Sequence, residues 1–153
     1  LQLLWSPTSF REGFCNMDIV PPEVRSRMMG AVPQAHTKPE ITVRKLIHRL
    51  GFRFRLHRKD LPGRPDIVLP RLNKVVLVHG CYWHRHGCEK TTTPSSNVGY
   101  WETKFRENVQ RDQKVLRDLQ HLGWDVIIVW ECETYDVNAL VNRLNRFLCG
   151  DVS

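Results

Sequence analysis

Apolar positions in this 153-residue chain follow two spacings, one typical of helices and the other typical of strands. A spacing of three to four residues, bounded by cap and turn residues, predicts amphipathic helices. These helices are predicted over residues 21–29, 37–50 and 102–122 and in a last segment after Asp136. Short alternating or continuous apolar runs predict strands. The strands are predicted over residues 52–57, 66–69, 74–78 and 124–130.

This order of elements predicts an α/β (α+β) protein with a mixed central sheet flanked by helices. Residues 124–130 are almost continuously apolar, which is typical of a buried central strand. Thr37 and Glu40 have the spacing of a capping box at the start of a helix, and this role alone could account for Glu40. The length suits one domain over residues 17–153, with residues 1–16 predicted to be a flexible extension.

Composition narrows the class of protein. Lysine and arginine exceed aspartate and glutamate by 23 to 16, which gives a net charge of +7. This excess fits either a well-solvated basic surface or a polyanionic partner, and it does not separate nucleic acid from an anionic membrane surface. No run of 18 apolar residues is present, so no membrane span is expected. The odd number of cysteines, 5, favours metal binding over a disulfide framework and a reducing cytoplasm as the location.

Metal-capable side chains are concentrated in residues 77–88, which follow an apolar strand. Cys81, His86 and Cys88 have the close spacing of a zinc knuckle that needs a fourth ligand. Cys132 follows the strand that ends at Trp130, and it closes the set if that strand lies beside residues 74–78. Thiolates and imidazole select Zn²⁺ over hard cations, so a structural zinc site is predicted; the alternative is buried, unligated cysteines.

A second candidate site centres on Asp66, which follows a proline at the start of a predicted strand. A carboxylate at this end of a β-hairpin suits Mg²⁺, which keeps waters and accepts phosphate oxygens as further ligands. Aspartate at a strand start is more often a turn or cap residue. Combined with His79, His84 and Glu40, however, Asp66 favours a catalytic site.

Three aromatic residues, Tyr82, Trp83 and Trp101, lie on segments predicted to be loop or helix start. Core packing is the alternative for any tryptophan, and it suits Trp124 and Trp130. Rings beside metal ligands at the surface are better placed to stack on nucleic-acid bases, and each stacked base contributes about 1–3 kcal/mol.

Five segments together resemble the very short patch repair endonucleases: residues 61–66, 78–88, 108–112, 122–124 and 129–132. The resemblance implies a zinc-containing variant of the restriction-endonuclease-like fold. It also implies an activity that nicks DNA on the 5′ side of the T in a T/G mismatch left by deamination of 5-methylcytosine.

The resemblance implies roles for the candidate catalytic residues. Asp66 would bind the catalytic Mg²⁺, and His84 would position or deprotonate the attacking water while Asp112 orients its imidazole. Val78 stands where family members have threonine. A metal ligand supplied by the backbone carbonyl survives this change, whereas one supplied by a threonine hydroxyl does not.

Further residues match the family by position. His79 would assist near the scissile phosphate, and Glu40 would act through the waters of the cation or by fixing a histidine. Cys81, His86, Cys88 and Cys132 match the zinc ligands. The residues that match the DNA intercalators are Tyr82, Trp83 and Trp101, with Met29 inserting from the other groove.

The sequence thus predicts a Mg²⁺-dependent mismatch endonuclease, monomeric and bacterial, that acts on double-stranded DNA with a T/G mismatch. The resemblance also suggests a mismatch-repair protein as a partner. Two other interpretations stay open. One is a zinc-stabilised DNA-binding module with degenerate catalysis, and the other is a restriction-like nuclease that cleaves unmodified duplex.

Overall fold

The computed structural model describes residues 21, 23–24, 27, 30–31 and 35–150. Contacts divide the chain into two compact units, Leu1–Ala31 and Val32–Ser153. In the first unit, the described residues Glu23, Val24, Arg27 and Gly30 are helical. The predicted extension over residues 1–16 and the predicted DNA contact Met29 lie outside the described residues.

The second unit is a four-stranded sheet with helices on both faces. Its strands are β1 (Arg55–Leu56), β2 (Ile67–Leu69), β3 (Lys74–His79) and β4 (Asp125–Trp130). Its helices are α1 (Lys38–Arg49), α2 (Val98–His121), a 3₁₀ helix (Glu131–Tyr135) and α3 (Val137–Cys149). The strand order is β1-β2-β3-β4, with β3 antiparallel to β2 and parallel to β4. The predicted mixed sheet flanked by helices is therefore confirmed.

Two apolar layers hold the helices to the sheet. Helices α1 and α3 pack on one face, where Ile47 and Leu144 contact a core that includes Val76 of β3. Helix α2 covers the other face, where Leu119 contacts a core that includes Val75 and Leu77. The two layers arise because successive side chains of a strand point to opposite faces of the sheet.

Cap residues fix the starts of α1 and α3. Thr37 Oγ1 accepts a hydrogen bond from the Glu40 backbone N–H at 3.5 Å, as the capping-box pattern predicts. The Glu40 carboxylate reaches one residue further back than expected and accepts from the His36 N–H at 2.9 Å. At α3, the predicted cap Asp136 accepts from the Ala139 N–H at 3.0 Å. Both helix starts follow from local sequence.

The prediction of a central strand over residues 124–130 is wrong. Strand β4 is the last strand of the sheet, and its residues Val126, Ile127 and Ile128 are half-buried. Helices cover both faces of the sheet, so β4 needs apolar side chains on both sides even though, among the described residues, no strand pairs with its outer edge. A continuously apolar strand therefore indicates that both of its faces are covered, but it does not indicate whether the strand is central or at the edge of the sheet.

Two other elements differ in extent from the prediction. Only Arg55 and Leu56 of the predicted strand over residues 52–57 pair with β2, and Leu56 is 38% exposed at this edge. Helix α2 begins at Val98 instead of residue 102, which brings Trp101 into its buried face. Among the described residues, no helix combines the length and the apolar character needed to cross a membrane.

Candidate functional site

The candidate site residues gather where β3 and β4 end. The two strands are parallel and in register, with His79 opposite Trp130, so the segments that follow them leave the same edge of the sheet. Asp66 comes just before β2, which runs antiparallel to β3, and its Oδ2 accepts from the Val78 N–H at 2.8 Å. The sheet topology therefore brings residues from distant parts of the sequence to one edge.

Four sulphur and imidazole ligands meet in the first of three groups, and they are the predicted set Cys81, His86, Cys88 and Cys132. Their ligand atoms all lie within 4.8 Å of one another. Cys81 lies two positions after His79, and Cys132 lies two positions after Trp130, so the parallel register accounts for their proximity. His86 Nδ1 lies 3.8 Å from Cys81 Sγ and 3.4 Å from Cys132 Sγ.

Two cysteines of this group, Cys81 and Cys88, have pKa values shifted in opposite directions. Burial raises the pKa of the Cys81 thiol to about 12, while a hydrogen bond with His86 lowers the pKa of Cys88 to about 6. The His86 ring stacks on Trp130 with 4.3 Å between the ring centroids. Three thiols and one imidazole arranged around a common centre are a donor set that fits a soft or borderline cation. The structure thus contains a possible Cys/His metal site.

The second group contains Asp66, Glu40 and His57, whose ligand atoms also lie within 4.8 Å of one another. Burial raises the pKa of Asp66 to about 6, the hydrogen bond from Val78 opposes this rise, and the charge of Glu40 adds to it. A divalent cation would relieve both the burial of the carboxylate and its repulsion by Glu40. The donor set therefore fits a cation that prefers oxygen ligands.

The third group is a pair of histidines with an aspartate. The His79 and His84 rings stack with 4.0 Å between centroids and 11° between planes, and Asp112 forms a hydrogen bond with His84 Nδ1. This bond leaves His84 Nε2 as the ring nitrogen that can accept a proton. Burial, helped by the neighbouring His84, lowers the pKa of His79 to about 4, so His79 is neutral near pH 7.

The predicted stacking residues are neighbours in space. The Tyr82 ring is 5.0 Å from Trp83, and the Trp83 ring is 6.2 Å from Trp101, measured between centroids. Tyr82 and Trp83 are half-buried, whereas Trp101 is only 6% exposed and packs against Phe105. The two rings on the loop are therefore accessible in this state, and the ring on α2 is not.

Sequence reasoning did not find two contacts that fix these groups. The buried Asn108 donates from Nδ2 to the Trp83 carbonyl at 3.3 Å and accepts from Arg111 at 2.9 Å. Asn108 lies three residues after Phe105 and four before Asp112, so its helical spacing could have placed it on the same face. The other contact joins Glu40 to Arg44 and His57. The i,i+4 spacing of Glu40 and Arg44 on α1 could have indicated the first pair. No local pattern indicates the second, because His57 lies outside α1.

A family model described as DNA mismatch endonuclease Vsr matches residues 17–90 of the chain. The chain is 37% identical over 139 residues to the DNA mismatch endonuclease Vsr of Escherichia coli (strain K12). That match covers 88% of this chain and 89% of the relative.

Two further relatives are more similar in sequence, and both are called type II nicking enzymes. V.XorIIP of Xanthomonas oryzae pv. oryzae is 48% identical over 131 residues, which cover 86% of this chain and 96% of the relative. V.NmeAIP of Neisseria meningitidis serogroup A is 41% identical over 131 residues, which cover 86% of this chain and 94% of the relative. Because 131 of the 153 residues are matched, the likeness to V.XorIIP extends beyond residue 90, where the match to the family model ends.

Proposed function

Since the chain belongs to the DNA mismatch endonuclease Vsr family, we propose that it nicks duplex DNA on the 5′ side of the T in a T/G mismatch. Family membership makes it a DNA endonuclease, and the mismatch specificity is the proposed step. The observation that supports it most is the meeting of Asp66 and the His84–Asp112 pair at the edge of the sheet from which the Tyr82–Trp83 rings emerge.

His84 and Asp112 are proposed to activate the attacking water. His84 Nε2 accepts a proton from water, and the Asp112 carboxylate, hydrogen-bonded to Nδ1, orients the ring and stabilises the imidazolium that forms. Water oxygen then adds to the phosphorus as the bond to the leaving oxygen breaks. The neutral ring of His79 stacks on His84 and restricts its orientation.

Asp66 is proposed to hold the divalent cation, with the Val78 backbone carbonyl as a second ligand and Glu40 acting through its waters. A Mg²⁺ ion bound there supplies polarisation of the scissile phosphate and stabilisation of the leaving oxygen. The Asp66 carboxylate is fixed for this task by the Val78 N–H at 2.8 Å. The valine side chain at position 78 does not impair a ligand that the backbone supplies.

Mismatch recognition is proposed to rest on intercalation. Tyr82 and Trp83 enter the base stack from one groove, Trp101 follows once it leaves its packing against Phe105, and Met29 enters from the other groove. Parting a base step requires a few kcal/mol, and less at a mismatch that is already poorly stacked. The rings therefore favour a mismatch before any base edge is read.

The Cys81, His86, Cys88 and Cys132 group is proposed to hold a structural Zn²⁺ that fixes the loop carrying these rings. Four protein ligands leave no open position for substrate, which is the arrangement of structural zinc sites. The enzyme is further proposed to act as a monomer on double-stranded DNA and to recruit a mismatch-repair protein.

A second candidate activity is nicking of an unmodified duplex at a specific sequence. The observation that favours it is the description of two relatives as type II nicking enzymes. A single experiment divides the two candidates. The zinc-loaded protein is incubated with end-labelled duplexes that differ only in a T/G, T/A or C/G pair, with Mg²⁺ or without it.

The proposed function predicts a Mg²⁺-dependent nick 5′ of the T in the T/G duplex alone. Nicking of a fully matched duplex, T/A or C/G, at one fixed position would support the site-specific activity instead. Binding without cleavage under every condition would leave a DNA-binding module, and it would contradict the proposed catalysis.

A further inference from the structure

Arg44 occupies a central position beside the acidic group. Its Nη2 lies 2.7 Å from Glu40 Oε2 and 2.9 Å from His57 Nε2, and its Nη1 lies 2.8 Å from His36 Nδ1. Its side chain is 11% exposed, and that of Glu40 is 4% exposed. Because arginine stays protonated, both histidine nitrogens facing it act as acceptors. One guanidinium thus joins the Glu40 carboxylate to two imidazoles.

Glu40 is consequently well supplied with donors. Its Oε2 accepts from Arg44 and from the His36 N–H at 2.9 Å, and its Oε1 accepts from the Thr37 hydroxyl at 3.1 Å. A carboxylate paired with a buried arginine has less charge to offer a cation than one without such a partner. Asp66, which accepts from the neutral Val78 N–H, has no such ion pair among the described residues.

We propose that Arg44 is a positioning residue that keeps Glu40 from ligating the catalytic cation directly. The cation then stays with Asp66, and Glu40 contacts only its waters. His57 and His36 hold the guanidinium in place through their unprotonated nitrogens. The Nε of Arg44 is buried without a hydrogen-bond partner among the described residues, so the head group is oriented by its Nη contacts. This inference rests on the proposed function, because it takes the cation at Asp66 as given.

Replacing Arg44 by a neutral residue should therefore raise the affinity for the cation, an effect not expected of an arginine that only stabilises the fold. Removing the positive charge strengthens cation binding, because Glu40 and Asp66 can then ligate together and a repulsive charge is gone. Catalysis slows, because a cation drawn towards Glu40 is displaced from the phosphate. A role in folding alone would lower stability without raising the affinity for the cation.

The test uses Mn²⁺ as the probe, with binding to the zinc-loaded, DNA-free protein followed by electron paramagnetic resonance. Arg44→Gln should bind Mn²⁺ about tenfold more tightly than the wild type, and its kcat should fall by a similar factor while KM for DNA changes little. Arg44→Lys keeps the charge and should restore both values. Lys45→Gln is the matched control, because it removes a charge from the next residue of α1, which is exposed.

Two further variants complete the test, and the first of them keeps it decisive if Arg44→Gln folds poorly. Glu40→Gln in the presence of Arg44 should leave Mn²⁺ affinity within about twofold of wild type, since Glu40 is not a direct ligand. Adding Glu40→Gln to Arg44→Gln should remove the gain. Weaker or unchanged Mn²⁺ binding by Arg44→Gln, or a tenfold loss in Glu40→Gln alone, would overturn the inference.

Asp66→Asn separates this inference from the proposed function. Loss of Mn²⁺ binding in Asp66→Asn together with no gain in Arg44→Gln would reject only the role of Arg44. Unchanged Mn²⁺ binding in Asp66→Asn would reject the cation site itself.

Discussion

The sulphur group around Cys81 and the acidic group around Asp66 lie at the same end of β3 but differ in almost every physical property. The sulphur group has three thiols and an imidazole, and Cys81 is fully buried. The acidic group has two carboxylates of the same charge, and Asp66 is half-buried. One set can enclose a cation completely, whereas the other leaves room for waters and a phosphate.

The comparison indicates how one strand can supply both a structural and a reactive site. Val78 contacts the carboxylate of Asp66, and Cys81, three residues later, begins the sulphur group. Ligand softness would keep the two proposed cations apart, because thiolates favour Zn²⁺ and carboxylates favour Mg²⁺. Four predictions test this division, and a fifth measures the cost to stability of keeping a carboxylate in the reactive site.

The largest effect is expected at the reactive site. Asp66→Asn should lower the rate of T/G nicking by at least about 10³-fold, since the cation loses its carboxylate ligand. Mismatch binding should persist, because removing a negative charge near the phosphates does not weaken their attraction. Single-turnover nicking and a gel-shift assay measure the two properties. Asp60→Asn is the control, because Asp60 is exposed and pairs with Arg58. Nicking near the wild-type rate in Asp66→Asn would reject the assignment.

The second prediction concerns His84, the proposed general base. His84→Ala should lower the nicking rate by about 10²–10⁴-fold if His84 is the general base. Zinc content should not change, because His84 contacts Asp112 and lies outside the sulphur group. Metal analysis after gel filtration checks this point, with the exposed His48→Ala as control. Zinc loss in His84→Ala would mean that the two groups share this histidine.

The third prediction addresses the structural site. Cys88→Ser should remove bound zinc and lower the free energy of unfolding by about 3 kcal/mol or more, because metal binding and folding are coupled. Denaturant unfolding and metal analysis measure the two effects together. Cys149→Ser is the matched control, since the exposed Cys149 lies outside the group. A stable, zinc-free Cys88→Ser protein would show that no structural ion is needed.

The fourth prediction examines Trp83, whose half-buried ring lies on the loop after β3. Trp83→Ala should reduce the preference for T/G over matched duplex by about 1–3 kcal/mol, because stacking operates only where bases part. Affinity for matched duplex should hardly change, since phosphate contacts do not depend on the ring. Competition binding at fixed salt gives both values, with the exposed Tyr135→Ala as control. Equal losses on both duplexes would contradict intercalation by Trp83.

The smallest expected effect is on the free energy of unfolding, and it arises from the charge of Asp66. The pKa of Asp66 is raised to about 6, so the folded protein binds this proton more tightly than the unfolded chain does. Ionisation therefore destabilises the fold as pH rises above the ordinary aspartate pKa, and the loss is complete above about pH 6. Asp66→Asn should raise the free energy of unfolding by about 1–2 kcal/mol at pH 8 and by much less at pH 4.

Thermal unfolding without Mg²⁺ and without chelator, which would strip zinc, measures this difference. A stability gain of the same size at both pH values would mean that the charge of Asp66 is not its cause. The inactive variant is thus expected to be the more stable protein.

Sequence reasoning reached furthest where a short motif or a strand register fixes the answer. The parallel pairing of β3 and β4 brings Cys132 to Cys81, which meets the condition on which the sequence made Cys132 the fourth member of the group. Local capping rules located the starts of α1 and α3 because Thr37 and Asp136 act on backbone groups within the next few residues.

Sequence reasoning failed where the position or burial of a residue depends on neighbours from distant parts of the chain. The edge position of β4 depends on which strand lies beside it, and the burial of Trp101 depends on the rings of the loop. The contact of Arg44 with His57 joins α1 to the segment after β1, and it required the tertiary fold to be seen. Pairwise contacts between distant segments leave no periodic signal in either segment.

Because the sulphur group joins residues that follow β3 to a residue that follows β4, it can be completed only late in the synthesis of the chain. Cys81, His86 and Cys88 leave the ribosome together, whereas Cys132 follows only after the whole of α2 has been made. A nascent chain therefore presents three ligands within eight residues and can retain an ion before the sheet is complete. Closing the remaining loop of roughly 50 residues then requires only a few kcal/mol of chain entropy, because the entropic term grows slowly with length. With the proposed Zn²⁺ already held by these three residues, the docking of β4 would complete the group by adding Cys132.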